Sequence, residues 1–392
     1  MRRISVDKIK SGEKTAGEVY ADGTTLLAGA GYKLSGKNLD RIDELGILWV
    51  YMDDPRTEGL EPTGTISDDV KRANKAKVQH AFEAIAAEYA TDLPISAQQR
   101  LESIEEQKGI SADIFNELES VAKSTLDNIL LGSSRMFVPL PQEEREGYLA
   151  HHGLEVLAGC VMMARKLSLD SKEMAAIAIG GMLHNTGMLF LPDEIISGEG
   201  ELSDDQIKYM QYHPVFGYEY LRKNPRVGIL TAHMAYQHHE NQDGSGYPRG
   251  LCGTNKIPRR KEPISTRPQV HRYAEICAIV DTFVALGSPR PYRQAMPTDR
   301  ALDVIMRMAG SKLNLEMVKA FLSITPRYPV GSEVMIMNGE FSGYHAIVWE
   351  VSQQELNRPL IKILNDPDFS SVEESIFIDL SVQPFIQLQG LI

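Results

Sequence analysis

Cysteine is scarce in this sequence, with three among 392 residues, and Cys160, Cys252 and Cys277 lie far apart. Their spacing excludes a disulfide framework and a CxxC metal site, and it is typical of proteins from a reducing compartment. The apolar core of a signal peptide is also missing, because Glu13 and Lys14 follow a start that is already charged. We therefore expect a cytoplasmic protein.

Long hydrophobic runs and an excess of basic residues are absent too. No uncharged run approaches the roughly 20 residues that span a bilayer, so we expect no membrane segment. The formal net charge of −12 disfavours nucleic-acid polymers and anionic membranes as partners, although a small anion can still bind in a local pocket. The remaining composition, 43% hydrophobic, is that of an ordinary globular protein of two or three domains.

The hydrophobic pattern divides the chain into modules. Hairpin and helix signals in residues 1–52 predict a small α+β domain, and the proline, glycine and charged residues of 53–67 indicate a linker. Apolar residues at three- and four-residue spacing predict a helical domain over 68–325. Alternating and β-branched segments in 326–392 predict a small all-β module, which we expect to be barrel-like. The fold class is therefore mainly α.

Histidines in the helical domain lie at predicted helix ends. Residues 170–173 resemble a capping box that opens a helix with His184 on its last turn, and Gly187 is suited to cap that helix. Residues 201–223 are predicted to form one further helix, which holds His213.

The most unusual stretch is HHENQDGSGYP at residues 238–248, which forms no apolar face. Adjacent imidazoles can both reach a metal ion where the backbone bends, and Gly244 and Gly246 permit positive φ and close approach of a ligand. A polar surface turn with incidental histidines is the alternative for this stretch taken alone.

Several more histidines and one buried-looking acid have no obvious packing role. Singly, His213 can be explained as a satisfied core side chain and Asp281 as an ion-pair partner. Together, five imidazoles and a carboxylate on a helical scaffold can bind two divalent ions such as iron, manganese, zinc or nickel. The candidate metal ligands are His152, His184, His213, His238, His239 and Asp281.

Four motifs in this region resemble the HD-GYP family of bacterial cyclic di-GMP phosphodiesterases, a branch of the HD metal-dependent phosphohydrolases. They are His184-Asn185-Thr186-Gly187, His213-Pro214, HHENQDGSGYPRGL at 238–251, and Val280-Asp281 followed by Arg290-Pro291-Tyr292-Arg293. The resemblance covers about residues 110–325, with the motifs inside 143–295, and the terminal modules resemble those that accompany some members.

The resemblance implies an HD-type helical bundle whose six candidate ligands hold one or two divalent ions, with iron or manganese favoured over zinc or nickel. It also implies that Arg290 and Arg293 hold the phosphates or guanine of the dinucleotide. Tyr247 and the turn from Gly244 to Gly246 would shape the pocket.

The sequence departs from the family pattern at catalytic positions. Where the family has an aspartate that bridges both metals, this chain has Asn185, a neutral amide with one good oxygen. Where the family usually has a lysine beside the phosphate, it has Met188. Tyr148 replaces the glutamate of members with a third metal, so we expect two metals at most.

Because of these departures, we favour a protein that recognises cyclic di-GMP at a metal-binding site and has impaired or absent phosphodiesterase activity, as in a degenerate sensor. The alternative is an active metal-dependent phosphodiesterase that forms the linear dinucleotide or GMP. A helical scaffold with a vestigial pocket is the third interpretation. A signalling protein or a second copy of the chain is the protein partner that we expect.

Overall fold

The structure is a computed structural model that describes residues 1–21, 25–62, 64–89, 96–139, 147–196, 200–257, 268–289 and 295–391. It is mainly helical, with short strands near the start and a five-stranded sheet near the end, which confirms the predicted fold class. None of the helices in the described ranges is long and apolar enough to cross a membrane.

The N-terminal module has two small antiparallel pairs of strands and one helix. Its elements are β1 (Arg2–Ser5), β2 (Val19–Ala21), β3 (Thr25–Ala28), α1 (Gly36–Glu44) and β4 (Trp49–Met52). Strand β1 pairs with β4, and β2 pairs with β3 as the predicted hairpin. Gly46 has a φ of 72° directly after α1, a conformation that glycine adopts without strain, and it lets the chain turn back into β4.

The helical domain surrounds one buried helix. Its helices are α2 (Asp68–Ala87), α3 (Ala97–Glu106), α4 (Ala112–Leu131), α5 (Tyr148–Lys166), α6 (Ser171–Leu183), α7 (Asp193–Ile196), α8 (Asp204–Met210), α9 (His213–Leu221), α10 (Ile229–Gln237), α11 (Arg272–Gly287), α12 (Thr298–Met308) and α13 (Leu315–Leu322). Every residue of α5 from Ala150 to Ala164 is buried, so this helix is the axis on which α2, α4, α6 and α11 pack. The predicted capping box at Asp170 and Glu173 opens α6, as expected.

The prediction of one helix over 201–223 is wrong, because α8 ends at Met210 and α9 begins at His213. Pro214 explains the break. Proline has no N–H to donate to the carbonyl of Met210 four residues earlier, and its ring would clash with that carbonyl in a continuous helix. Proline is tolerated in the first turn of α9, where an N–H would have no helical partner.

The prediction that Gly187 caps α6 is also wrong, because α6 ends at Leu183 with His184 as its C-cap. Gly187 instead lies in a short 3-10 helix, Thr186–Phe190, pressed against the start of α9. A Cβ atom at this position would lie 1.8 Å from the carbonyl oxygen of His213. The glycine is therefore needed for close packing between two segments that carry histidines of the site.

The C-terminal module is a single antiparallel sheet in the order β8-β7-β6-β5-β9. Its strands are β5 (Glu333–Ile336), β6 (His345–Glu350), β7 (Leu360–Asn365), β8 (Phe377–Asp379) and β9 (Leu388–Gly390). The predicted strands are thus present, but no pairing within the described part of the module joins β8 to β9, so the sheet is open and not a barrel.

Candidate metal centre

Two groups of three side chains face each other inside the helical domain. In each group the potential ligand atoms lie within 4.8 Å of one another. The imidazole rings of His184 and His238, one from each group, are 5.0 Å apart between centroids, so the two groups form one cluster. The first group is His152, His184 and Asp281, and the second is His213, His238 and His239. All six sequence-predicted metal ligands are therefore brought together.

Three of these six side chains lie at the ends of helices. His184 is the C-cap of α6, His213 is the first residue of α9, and His238 is the C-cap of α10. His152 and Asp281 lie instead within the buried helices α5 and α11. Carbonyl groups at a helix C-terminus have no intrahelical partner, and they are available to neighbouring side chains.

Three imidazoles use such carbonyl groups. A carbonyl oxygen can only accept, so each Nδ1 carries a proton, and in the neutral ring Nε2 is left with its lone pair. The Nδ1 atoms donate to the carbonyl three residues earlier: His184 to Gly181 (2.7 Å), His213 to Met210 (2.8 Å) and His238 to Ala235 (2.9 Å). The Met210 carbonyl is available because Pro214 offers it no N–H.

The lone pairs fixed in this way point toward one another. The Nε2 atoms of His213 and His238 are 3.3 Å apart. Two imidazoles in this tautomer place like partial charges together unless a cation or a proton lies between them. His184 Nε2 is buried and has no hydrogen-bond partner among the described residues, although Asp281 Oδ1 is 3.4 Å away. This donor set fits divalent cations, which accept neutral imidazole nitrogen and carboxylate oxygen.

Asp281 is oriented by His152, whose Nε2 lies 2.9 Å from its Oδ1. On the other side of the ring, His152 Nδ1 is 3.2 Å from the Tyr148 hydroxyl, and the two rings stack at 5.2 Å. Tyr148 therefore positions His152. Sequence reasoning considered Tyr148 only as a replaced ligand, although the four-residue spacing on a helix was a signal that the two side chains meet.

Burial and mutual charge shift the pKa values of the cluster. Burial, reinforced by charge on His239, lowers the pKa of His213 to about 3, and burial lowers that of His239 to about 4. Burial opposes protonation of His184 as well, but the Cys277 sulfur and the Asp281 carboxylate raise its pKa to about 9. Without a metal, His184 is therefore protonated at neutral pH. The positive charge of its ring then takes the place of a cation beside the Asp281 carboxylate.

The glycine-rich loop covers one side of the cluster. The Tyr247 ring stacks on His239 with centroids 4.8 Å apart. Gly244 has the expected positive φ, at 81°, but Gly246 is not among the residues with positive φ. A Cβ at Gly246 would lie 2.4 Å from the His239 carbonyl oxygen, so the second glycine serves close packing of the loop. The buried Glu240 carboxylate closes the loop by accepting from the N–H groups of residues 249 and 251.

The two positions that depart from the family pattern follow His184 in the chain. Asn185 follows His184 and is half-buried, and Met188 packs on the hydrophobic core from the 3-10 helix. Arg290 and Arg293 lie outside the described residues.

Comparisons with known proteins point to the same region. The HD domain family model matches residues 128–316, which include all six clustered side chains. A "Cyclic di-GMP phosphodiesterase PA4108" from Pseudomonas aeruginosa is 28% identical over 218 residues, 55% of this chain and 48% of that protein. The "Cyclic di-GMP phosphodiesterase response regulator RpfG" from Xanthomonas campestris is 35% identical over 162 residues, 41% of this chain and 39% of that protein. The chain thus spans less than half the length of either relative.

Among solved structures, "Bd1817, a HDG"Y"P protein from Bdellovibrio bacteriovorus" aligns with 81% of this chain and 97% of its own. The TM-score is 0.43 and the sequence identity is 14%.

Proposed function

Because this chain belongs to the HD-GYP family of HD-domain proteins, we propose that it binds two divalent metal ions and cyclic di-GMP at the histidine cluster and hydrolyses the dinucleotide slowly. Relatives that match the HD region are named cyclic di-GMP phosphodiesterases. The products would be the linear dinucleotide or GMP.

The observation that carries the proposal is the convergence of two three-ligand groups whose imidazole lone pairs point at one another. His184, His152 and Asp281 would hold one ion, and the second group would hold the other. Iron and manganese suit this mixture of nitrogen and oxygen ligands, and zinc and nickel are the alternatives. Such ions supply Lewis acidity for phosphodiester hydrolysis and neutralise charge that develops on the phosphate.

The protein's own groups prepare the site for that chemistry. Hydrogen bonds to backbone carbonyls fix the imidazole rings before a ligand arrives, so little reorganisation is needed on binding. Tyr247, stacked on His239, offers an aromatic edge beside the cluster. Arg290 and Arg293 stay predicted to hold the phosphates or guanine of the dinucleotide, since arginine pairs well with such groups.

Two residues favour a second candidate, a sensor that binds cyclic di-GMP without cleaving it. Asn185 supplies no negative charge to balance two dications, and Met188 offers no cation or proton to the phosphate. Both candidates require metal in the cluster, and they differ only in turnover.

Experiments with metal-loaded protein distinguish the slow phosphodiesterase from the sensor. We expect elemental analysis of protein purified without chelator to find close to two equivalents of iron or manganese. Incubation with cyclic di-GMP, followed by chromatography, should then show slow release of linear product. Binding without product over hours would select the sensor, and a metal content below trace would contradict both.

A matched pair of histidine variants controls this experiment. His213→Asn removes a ring from the cluster and should lower the metal content at least to half. His80→Asn alters an exposed histidine that pairs with Glu117 and is not part of the cluster, and it should leave metal content and product formation unchanged.

A further inference from the structure

The C-terminal sheet ends in an open strand. Strand β8 pairs with β7 on one side, and no strand in the described part of the chain pairs with its other side. The ladder between β7 and β8 continues beyond both ends of β8. The Ile363 N–H donates to the Ile376 carbonyl at 3.0 Å, and the Leu380 N–H donates to the Pro359 carbonyl at 3.2 Å. These two bonds show which residues along β8 face β7, because bonded residues alternate in an antiparallel strand.

Three backbone groups are left for a partner at the outer edge. Phe377 lies between the residues that bond to β7, so its N–H and C=O point away from β7, and the N–H of Asp379 does so for the same reason. The carbonyl of Asp379 is used by the N–H of Gln383 at 3.1 Å. Unpaired groups at the edge of a sheet can bond to an added strand, an arrangement called β-augmentation.

The sheet surface beside this edge is aromatic. Phe377 is 44% exposed, and its ring packs edge-on against Trp349 of β6 with centroids 5.2 Å apart. The Nζ of Lys362 in β7 lies 5.1 Å from the Trp349 centroid and 5.4 Å from that of Phe377, and it donates to the carbonyl of Arg56 at 2.7 Å. Because these contacts hold the Phe377 ring in place, the ring offers a preorganised apolar contact to a side chain of an added strand.

Charge indicates which kind of strand would fit. Residues 365–392 include five acidic residues and no lysine, arginine or histidine. Glu373 and Glu374 are exposed just before β8, and Asp379 is its last residue. Opposite charges that face each other on neighbouring strands are stabilising, and like charges are destabilising. A second copy of this edge would place acid against acid, so the charges favour a basic strand from a different protein.

We propose that the open edge of β8 binds an extended, basic segment of a partner protein, which adds to the five-stranded sheet antiparallel to β8. A small apolar residue of the segment would face Phe377 and make two hydrogen bonds with its backbone. Side chains two residues apart lie on the same face of a strand. Cationic residues two positions to either side would therefore lie near Asp379 and near the pair Glu373 and Glu374.

A peptide with this order of side chains tests the proposal on the whole chain. The probe is a fluorophore-labelled Thr-Lys-Thr-Val-Thr-Lys-Thr, which has the same order of residues in both directions. We expect saturable binding, measured by fluorescence anisotropy, at least tenfold tighter than that of the same peptide with Glu in place of Lys. Absence of saturable binding, or equal binding of the acidic peptide, would overturn the proposal.

An N-methylated peptide tests the backbone pairing separately from charge. Methylation of the valine nitrogen keeps every side chain and charge but removes the N–H that would donate to the Phe377 carbonyl. This peptide should bind at least tenfold more weakly than the parent peptide. Equal affinity of the two peptides would show that no strand is added at β8.

Protein variants locate the peptide. Glu373→Gln with Asp379→Asn removes two charges beside β8 and should weaken binding at least tenfold. An asparagine oxygen can still accept from the N–H of Ser381, which Asp379 Oδ1 does at 2.8 Å, so the fold should be kept. Glu340→Gln with Asp127→Asn is the matched control, because it removes two exposed charges in the β5–β6 turn and on α4. It should change affinity less than twofold, and equal losses in both variants would refute a site at β8.

Sedimentation of the free chain distinguishes a partner protein from a second copy. We expect no dimer that depends on β8, because two acidic edges repel each other. A dimer that the basic peptide dissociates would assign the edge to a second copy and overturn the proposal. Metal content and hydrolysis of cyclic di-GMP are separate measurements, so failure here leaves the proposed function untouched.

Discussion

Asn185 and Met188 differ from the family pattern by charge more than by size. An amide offers one oxygen and no charge where a carboxylate would offer two oxygens and one negative charge. Methionine fills the space of a lysine side chain with a neutral thioether. In the structure Asn185 directly follows His184, one of the proposed metal ligands, so a charge at position 185 is expected to act on the proposed ions.

We therefore predict that Asn185→Asp combined with Met188→Lys raises hydrolysis of cyclic di-GMP by about 10- to 100-fold, since restoring groups beside a metal typically changes affinity or activity by that factor. Asn185→Asp alone should raise metal occupancy, measured by elemental analysis. Met188→Lys alone should raise the rate at constant occupancy.

Met306→Lys is the matched control for the added charge, because Met306 is 44% exposed on α12 and far from the motif in sequence. It should leave the rate unchanged. If the double variant binds metal and cyclic di-GMP but cleaves no faster than the unmodified protein, the explanation from these two positions is wrong.

At the scale of elements, a buried polar network joins the loop that carries two metal ligands to the helix that carries Asp281. Glu275, in the first turn of α11, accepts from Gln242 at 2.7 Å and from Asn314 at 3.1 Å through the same carboxylate oxygen. Burial raises the pKa of Glu275, and the two amide donors oppose that rise. Gln242 lies three residues after His239, so this network fixes where the loop sits against α11.

We predict that Glu275→Ala lowers metal affinity about tenfold and destabilises the fold by about 2 kcal/mol, because it leaves buried amide donors without an acceptor. Titration calorimetry with Mn²⁺ and urea unfolding measure the two effects. Glu275→Gln keeps an acceptor oxygen, so its losses of metal affinity and of unfolding free energy should be less than half those of Glu275→Ala.

Glu316→Ala serves as the comparison for this prediction. Glu316 accepts from the N–H of Ile257 at 2.8 Å on the exposed side of the same region, without contact to Gln242 in the described hydrogen bonds. It should leave metal affinity unchanged. Equal losses of metal affinity in Glu275→Ala and Glu316→Ala would mean that general destabilisation of this region, and not loss of the Glu275 hydrogen bonds, lowers the metal affinity.

A comparison of predicted and observed elements shows which features of the fold the sequence alone could predict. Local signals predicted the capping box of α6 and the β-structure of the C-terminal module, because caps and alternation depend on neighbouring residues. The break in the helix before His213 also had a local signal, Pro214, but the sequence analysis did not use it. The partners of Glu275 were beyond reach, since they lie 33 and 39 residues away and only the fold brings them together.

The same distinction applies to the site. The residue types of the six ligands, together with their positions at helix ends and on apolar faces, suggested that they bind metal as a group, and the fold clusters them. The open sheet could not be predicted, because it depends on how distant segments dock.

At the scale of the whole molecule, the terminal modules are joined. Arg2 of β1 reaches Glu333 of β5, and Leu60 is buried against Ile347 and Leu364 of the sheet. The chain therefore passes from the N-terminal module across the C-terminal sheet before it enters the helical domain. The six buried side chains of the metal cluster lie inside that helical domain, so their protonation affects the stability of the whole molecule.

The cluster should make stability depend on both pH and metal. The pKa values of His213 and His239, lowered to about 3 and about 4 against 6.5 in the unfolded chain, favour unfolding as the pH falls below 6.5. His184, with its pKa raised to about 9, works in the opposite direction, and its contribution is lost as the pH rises from 6.5 through 9. Metal-free protein should thus be most stable near pH 6.5.

We predict that His213 and His239 each cost metal-free protein on the order of 2 kcal/mol of unfolding free energy between pH 7 and pH 5, measured by urea unfolding. Added Mn²⁺ at pH 7 should raise the Tm by about 5 °C or more, because ions that bind only the folded state stabilise it. His213→Asn should reduce both effects, whereas His80→Asn should preserve them, since the exposed ring of His80 lies outside the cluster. A flat pH profile together with an unchanged Tm would show that these imidazoles do not titrate as a metal-binding unit, and the proposed site would have to be abandoned.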